Sequence, residues 1–167
     1  MTKRINIYGE GHVEPYLHRR TACRALILRG SSLLVSNESA SSVIRTPGGG
    51  MFAGEKPEDC VIREVREETG YIIQITKEFL LTSEYYERTK NKTHYYVCDI
   101  IGEAECSLTP EEAHNKLVPL WIEASELQDF FKTNSKDMTI PTWKRRMYHR
   151  EHIAVTEFLK LCKDEIK

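Results

Sequence analysis

Three glutamates at positions 64, 67 and 68 have a spacing that could bind a metal ion. They belong to the segment REVREETG, which follows a run of three glycines. On a helix, with about 100° between successive residues, their side chains fall within an arc of roughly 100°. Like charges at this spacing repel each other by about a few tenths of a kcal/mol per pair, so helix stability alone does not favour the pattern. Crowded carboxylate oxygens are, however, what a hard divalent cation such as Mg²⁺ prefers.

A solvated charged helix face is the alternative interpretation of this acidic stripe. Arg63 and Glu67 are four residues apart and could form an ordinary surface ion pair. Ile62, Val65 and Thr69 occupy a different arc, which we expect to face the core. The helix by itself therefore leaves both interpretations open.

The stretch TPGGGMFAGE precedes this helix and brings glycine backbone close to the acidic residues. Such backbone can approach a phosphate or a metal ion closely. Two common glycine motifs do not fit. A P-loop requires lysine after Gly54, where Glu55 stands, and a dinucleotide-binding motif that begins at Gly48 requires glycine where Ala53 stands.

The stretch from Gly49 to Tyr71 closely resembles the Nudix box of the Nudix hydrolases. Every fixed position of that motif matches, and only Tyr71 departs from the usual aliphatic residue at the last position. The flanking strand order and the later segment LWIEASEL also resemble the family, so the resemblance spans most of the chain. The fixed positions of the motif in this sequence are Gly49, Glu55, Arg63, Glu64, Glu67, Glu68 and Gly70.

The resemblance implies an α/β fold, a Nudix-type α/β/α sandwich around a mixed β-sheet, in a single domain over residues 1–167. The residue patterns also indicate strands interleaved with helices, which is typical of a sheet covered on both faces. The polar sequence RTKNK predicts a hairpin turn. Apolar and alternating segments predict strands over residues 4–8, 21–28, 33–36, 43–46, 71–76, 79–86, 94–101 and 117–122.

Three helices are predicted. The first covers Pro57–Thr69, because proline suits the first turn and Gly70 the position after the end. The second follows Ser125, which forms a capping-box pattern with Gln128. The third covers residues 150–163, where apolar residues recur at helical spacing.

Nudix hydrolases cleave the pyrophosphate bond of a nucleoside diphosphate linked to another group, generally with Mg²⁺ or Mn²⁺. The resemblance implies that Arg63 orients the carboxylates, together with Glu55. One glutamate must accept a proton from the attacking water; Glu64 and Glu67 are the candidates, with a distant carboxylate as the alternative. The metal-ligand positions implied by the resemblance are Gly48, through its carbonyl, and Glu64, Glu67, Glu68 and Glu112.

The acidic ligand after the Nudix box has two candidates. Family members often draw such a ligand from a later loop, where this sequence has Glu111 and Glu112. The alternative interpretation, which an acidic loop residue alone favours, is that either residue is a solvated loop acid with no role in metal binding.

Substrate recognition depends on loops outside the motif. Arg45, Phe52 and Tyr86 are our candidate substrate-binding residues, and Tyr85 and Trp143 are further aromatic side chains that could stack on a nucleobase. Aromatic residues in strands are often only packing residues. The basic cluster WKRRMYHREH could attract phosphates or form an ordinary basic helix face.

The composition restricts the remaining possibilities. With 24 basic and 25 acidic residues the formal net charge is −1, which argues against binding to a nucleic-acid polymer or to a membrane surface. The five cysteines form no CxxC pair, and we find no secretory signal and no apolar run long enough to span a membrane. We therefore expect a cytoplasmic protein whose partner is a small nucleotide substrate.

The oligomeric state is not readable from the sequence, although homodimers are frequent in the family. The alternative function is a non-catalytic nucleotide sensor on the same fold. Such a sensor would be expected to lose carboxylates from the motif, and all of them are present here.

Overall fold

The computed structural model describes residues 1–165, and this part of the chain contains nine strands and four helices. The first sheet contains β1 (Lys3–Tyr8), β2 (His18–Leu26), β6 (Gly48–Gly50), β7 (Tyr71–Tyr86) and β8 (Thr89–Glu103). The second contains β3 (Leu28–Arg29), β4 (Ser32–Glu38), β5 (Val43–Arg45) and β9 (Leu117–Glu123). The helices are α1 (Pro57–Thr69), α2 (Pro110–His114), α3 (Ala124–Asn134) and α4 (Thr142–Glu165).

The first sheet is mixed and has the strand order β1-β7-β8-β2-β6. Its β1–β7 and β2–β8 pairs are parallel, whereas β7–β8 and β2–β6 are antiparallel. In the second sheet β3, β5 and β9 all pair antiparallel with β4. The predicted α/β class with a mixed sheet is confirmed, and the sequence patterns did not reveal that a second sheet is present.

The helices cover both faces of the strands. Along β4, Leu33 and Val35 point into an apolar cluster with α3 and α4, while Leu34 points into a second cluster with α1. Side chains alternate between the faces of a strand, so an unbroken apolar run is the expected pattern where both faces are buried. The result is a sandwich of helix, sheet and helix.

Helix α1 has the bounds that the sequence predicted. Gly70 ends it in the left-handed conformation, with φ of 72°, and donates its N–H to the carbonyl of Arg66. Val65 and Thr69 are buried as expected, but Ile62 is 38% exposed, so its assignment to the core was wrong. Ile62 is about 100° around the helix from the fully buried Val61, which turns it towards the edge of the packed face.

The long hairpin differs from the prediction. The two segments predicted at 71–76 and 79–86 are one strand of 16 residues with irregular pairing along it. The turn consists of Glu87 and Arg88, and residues 90–92 pair with both β7 and β2 rather than forming a loop. The polar residues 90–92 can form part of β8 because backbone hydrogen bonds do not depend on the type of side chain.

One further assignment was wrong. Helix α3 begins at Ala124 directly after β9, so Ser125 lies inside the helix and is not its N-cap. The glycines at 48–50, for which no strand was predicted, form β6 by pairing with residues 22–24 of β2. Within residues 1–165 no helix is both long and apolar enough to cross a membrane.

Helix α4 reaches the glycine segment through a buried ionic network. Oε2 of Glu151 accepts hydrogen bonds from the backbone N–H of Thr46 at 2.9 Å and from its hydroxyl at 2.6 Å. Oε1 accepts from the hydroxyl of Tyr95 at 2.8 Å and lies 3.3 Å from Arg150 and 3.6 Å from Arg24. Glu151 therefore fixes the chain two residues before β6 begins.

Replacing Glu151 with glutamine should destabilise the fold strongly. The substitution keeps the shape but leaves Arg24 without its buried negative partner, whereas Arg150 keeps Glu84, and such a loss costs about 3–5 kcal/mol of unfolding free energy. Urea denaturation measures this value. Glu157→Gln on the same helix removes an ion pair with the exposed Lys3 and should cost less than about 1 kcal/mol. Equal losses in the two variants would contradict the role of the network.

Candidate active site

A cleft of about 780 Å³ opens beside β6 and α1. Its walls also include the end of β4, the α2 segment and the first half of α4. Acidic residues from α1 and α2 lie at one part of this cleft. Basic and aromatic residues, among them Arg20, Lys92 and Trp143, line other parts of it.

Three carboxylates converge in the acidic part of the cleft. Glu64, Glu68 and Glu112 each offer one oxygen, and these three oxygens lie within 4.8 Å of one another. Glu64 and Glu68 are buried residues one helical turn apart on α1, and Glu112 is half-buried on α2. The structure thus brings together three of the predicted metal-ligand residues, including one that is distant in sequence.

Two glycines make room for this arrangement. A Cβ atom at position 49 would overlap the carboxylate of Glu64. Gly48 has φ of 136°, and a Cβ atom there would overlap the carbonyl of Cys23 on the paired strand. Side chains at these two positions would therefore push β6 away from both α1 and β2.

Glu68 is 1% exposed, and only one of its two carboxylate oxygens accepts hydrogen bonds. Its Oε2 accepts hydrogen bonds from the hydroxyl of Ser36 at 2.7 Å and from the backbone N–H of Gly48 at 3.0 Å. Its Oε1 lies 3.7 Å from Nη2 of Arg45 and has no hydrogen-bond partner among residues 1–165. Burial raises the pKa of Glu68, although Arg45 and the two hydrogen bonds act in the opposite direction.

Arg63 connects the loop before α1 to the carboxylates on the helix. Its guanidinium donates to both oxygens of Glu55, at 2.7 and 3.0 Å, and to the carbonyl of Gly50 at 3.2 Å. Nη1 also donates to Glu64 at 2.8 Å and to Glu67 at 3.1 Å. The hydrogen bond from Arg63 lowers the pKa of Glu55 to about 2. These contacts agree with the role expected for Arg63 in orienting the carboxylates. That role stays a prediction.

Glu64 shows why the cluster needs additional positive charge. Burial raises the pKa of Glu64, the hydrogen bond from Arg63 lowers it, and the nearby Glu67 and Glu112 raise it again. Oε1 of Glu68 is also buried and has no hydrogen-bond partner among residues 1–165, so the cluster has more negative charge than its neighbours compensate. Three convergent carboxylate oxygens suit a divalent cation such as Mg²⁺, which takes oxygen ligands and usually retains several waters.

Glu67 and Glu111 lie outside the group of three. The carboxylate of Glu67 contacts Arg63, and Glu67 lines a second, smaller cleft rather than the one that contains the three carboxylates. Glu111 lines the cleft but is exposed. Glu112 also caps α2, because its Oε2 accepts from the backbone N–H of Thr109 at 2.8 Å.

Of the three predicted substrate-binding residues, Arg45 and Tyr86 line the cleft and Phe52 does not. Arg45 lines the cleft but forms an ion pair of 2.7 Å with Glu38. The Phe52 ring packs against the guanidinium of Arg63 at 4.0 Å and is not part of the cleft lining. The structure therefore does not bring Phe52 to the position that we expected for a substrate-binding residue.

Tyr86 lines the cleft, but its side chain is buried. The guanidinium of Arg146 lies over one face of the ring, 4.1 Å from the centroid, and Gly9 is so close to the ring that a Cβ atom there would overlap it. The stacking role considered for Tyr86 is thus blocked in this structure. Tyr85 stacks on Tyr8 at 4.8 Å and does not line the cleft.

Two charged residues of the cleft, Arg24 and Glu38, were not named from the sequence. Arg146 and Arg150, which also line the cleft, belong to the basic cluster noted in the sequence. Their spacing of four residues places both on one face of a helix. Glu38 is an acidic residue at the end of an apolar strand, and such a residue is usually a solvated strand end.

Comparisons with known proteins agree with this geometry. The NUDIX domain family model matches residues 18–144. Structurally the chain is similar to a NUDIX hydrolase from Nitrosomonas europaea, with a TM-score of 0.63, 14% identity, and coverage of 85% of this chain and 89% of that one. It is also similar to a MutT NUDIX hydrolase from Burkholderia pseudomallei, with a TM-score of 0.58, 18% identity, and coverage of 84% and 98%.

A third similar structure is an ADP-ribose pyrophosphatase from Streptococcus suis 89-1591. Its TM-score is 0.52 at 14% identity, with coverage of 84% of this chain and 91% of that one. At these identities the structural likeness shows only that the fold is shared. The family model covers most of the chain and therefore shows the family. The chain belongs to the Nudix family.

Proposed function

We propose that this protein uses a divalent cation, Mg²⁺ or Mn²⁺, to hydrolyse the pyrophosphate bond of a nucleoside diphosphate linked to another group. The observation that carries this proposal is the group of three carboxylates in a large cleft. Its volume of about 780 Å³ is within the usual range for a small-molecule site. ADP-ribose, for which one similar structure is named, belongs to this substrate class.

Glu64, Glu68 and Glu112 are the proposed ligands of the cation. Gly48, through its carbonyl, and Glu67 remain further candidates from the family resemblance. When bound, the cation supplies positive charge that offsets the carboxylates and the diphosphate oxygens. The unpartnered Oε1 of Glu68 supports this assignment, because a buried carboxylate oxygen without a partner is costly.

The proton acceptor is proposed to be Glu64, with Glu67 as the second candidate. Glu64 lines the cleft and is one of the three convergent carboxylates, so it would be placed to accept a proton from a water at the cation. Arg63 holds this carboxylate through its 2.8 Å hydrogen bond and so limits the directions in which it can point. Glu67 also contacts Arg63 but does not line the cleft.

Trp143 is the proposed platform for the nucleobase. Within the described chain, Tyr86 and Trp143 are the aromatic residues that line the cleft, and Tyr86 is buried with Arg146 over its ring. Trp143 is 58% exposed at the start of α4. The exposed Arg20 and Lys92, which also line the cleft, could attract the phosphates of the same substrate.

A product screen tests the proposed function directly. Purified protein with magnesium is incubated separately with ADP-ribose, nucleoside triphosphates, dinucleoside polyphosphates, nucleotide sugars and NADH, and the products are identified by mass spectrometry. We expect cleavage between two phosphorus atoms in at least one substrate, with loss of activity in EDTA and recovery on adding magnesium. Tight nucleotide binding without any product would instead indicate a sensor.

Replacing Glu68 with glutamine should lower turnover by at least about a hundredfold, the usual scale for removing an important electrostatic group. The amide keeps the shape of the side chain but lacks its negative charge. Steady-state kinetics at saturating magnesium measures the loss. Glu58→Gln, at an exposed position on the same helix, should retain wild-type turnover. Full activity in Glu68→Gln would contradict the proposed role.

Replacing Trp143 with alanine should raise KM by about tenfold or more, because stacking on a base is worth about 1–3 kcal/mol. Tyr8→Ala provides a control, since Tyr8 is also 58% exposed but lies outside the cleft lining. The chain has two tryptophans, so fluorescence in a Trp121→Phe background reports on Trp143 alone. Added AMP should quench this emission. Unchanged emission and KM would exclude the stacking role.

A further inference from the structure

Glu38 connects two parts of the candidate metal site that are far apart in sequence. It is a buried residue at the end of β4. Its Oε1 lies 2.7 Å from Nη2 of Arg45, and its Oε2 accepts a hydrogen bond of 3.1 Å from Nδ2 of Asn115. A single carboxylate therefore joins the arginine beside Glu68 to the segment that carries Glu112.

The contact between Glu38 and Arg45 affects whether Oε1 of Glu68 is free of a direct ion pair. Nη2 of Arg45 is 3.7 Å from Oε1 of Glu68, compared with 2.7 Å from Glu38. Because Glu38 takes the direct ion pair, Oε1 of Glu68 has no hydrogen-bond partner in the described part of the chain. Without Glu38, the guanidinium could form its direct ion pair with Glu68 and occupy the oxygen proposed to bind the cation.

The contact with Asn115 affects the position of Glu112. Asn115 is the C-cap of α2, three residues after Glu112, and its backbone carbonyl also accepts from the N–H of Ala40 at 3.1 Å. None of the five described residues of α2 is buried, so apolar packing holds this helix only weakly. The two bonds made by Asn115 to the segment at Glu38 thus fasten a helix that has few other attachments.

We propose that Glu38 is a positioning residue for the cation site. It keeps Arg45 from pairing directly with Glu68, and it holds Asn115 so that Glu112 meets the carboxylates of α1. This inference rests on the proposed function, because it assumes that those carboxylates bind a divalent cation. Glu38 itself is not a member of the group of three convergent carboxylates.

Binding of Mn²⁺ to the full chain, measured by electron paramagnetic resonance without nucleotide, tests this role independently of activity. Glu38→Gln keeps the shape and removes the charge, and we expect the Kd for Mn²⁺ to rise by about tenfold or more, the usual scale for an outer-shell partner. Asn115→Ala should raise Kd by a smaller factor, since the pair between Glu38 and Arg45 remains. Glu78→Gln is the matched control, because Glu78 is a strand carboxylate paired with His94 outside the cleft lining.

A double-mutant cycle tests the connection to the α2 segment. In a Glu112→Gln background, Asn115→Ala should cause no further loss, because no carboxylate ligand remains on α2 to be positioned. A full additional loss there would contradict this part of the proposal. Should Glu38→Gln fail to fold by circular dichroism, the half-buried Asn115 still provides a decisive variant.

The possible results separate this inference from the proposed function. Wild-type affinity in both Glu38→Gln and Asn115→Ala, or an equal loss in Glu78→Gln, would overturn the role of Glu38. If Glu68→Gln loses Mn²⁺ binding while Glu38→Gln does not, the inference fails and the proposed metal site stands. A wild-type protein that binds no Mn²⁺ would contradict both.

Discussion

Mutual repulsion among three carboxylates in one poorly solvated space is the constraint on which the rest of this structure depends. Like charges within a few ångströms of one another repel strongly where water cannot screen them. Glu64 and Glu68 are buried, and burial raises the pKa of each. Arginines compensate only in part, since Arg63 is shared among several acceptors and Arg45 pairs mainly with Glu38. A divalent cation is the simplest group that would complete the charge balance.

Distant elements of the fold keep this unfavourable arrangement in place. Helix α1 places two of the carboxylates one turn apart, and the glycines of β6 allow the backbone to pack against them. Helix α4 fixes the chain before β6 through Glu151, which is buried with its partners. A conformation held in this way needs little rearrangement when a ligand binds, which is the general basis of preorganised sites.

The sequence predicted the bounds of α1 and the acidic stripe beside the glycine segment, because local signals determine both. Pro57 and Gly70 mark the ends of the helix, and the spacing of its glutamates is short. Glu112 was named only as one of two loop acids, since the folding of a distant segment decides whether it reaches Glu64. The burial of Tyr86 beneath Arg146 and the bridging contacts of Glu38 depend on long-range contacts that no local pattern records.

A crystal structure of the protein soaked with Mn²⁺ and a non-hydrolysable nucleoside diphosphate analogue tests the central claim most directly. The account predicts an anomalous difference peak between the carboxylates of Glu64, Glu68 and Glu112, with the diphosphate bound to the same ion. An ion bound elsewhere, or the three side chains turned away from one another around an empty space, would contradict it.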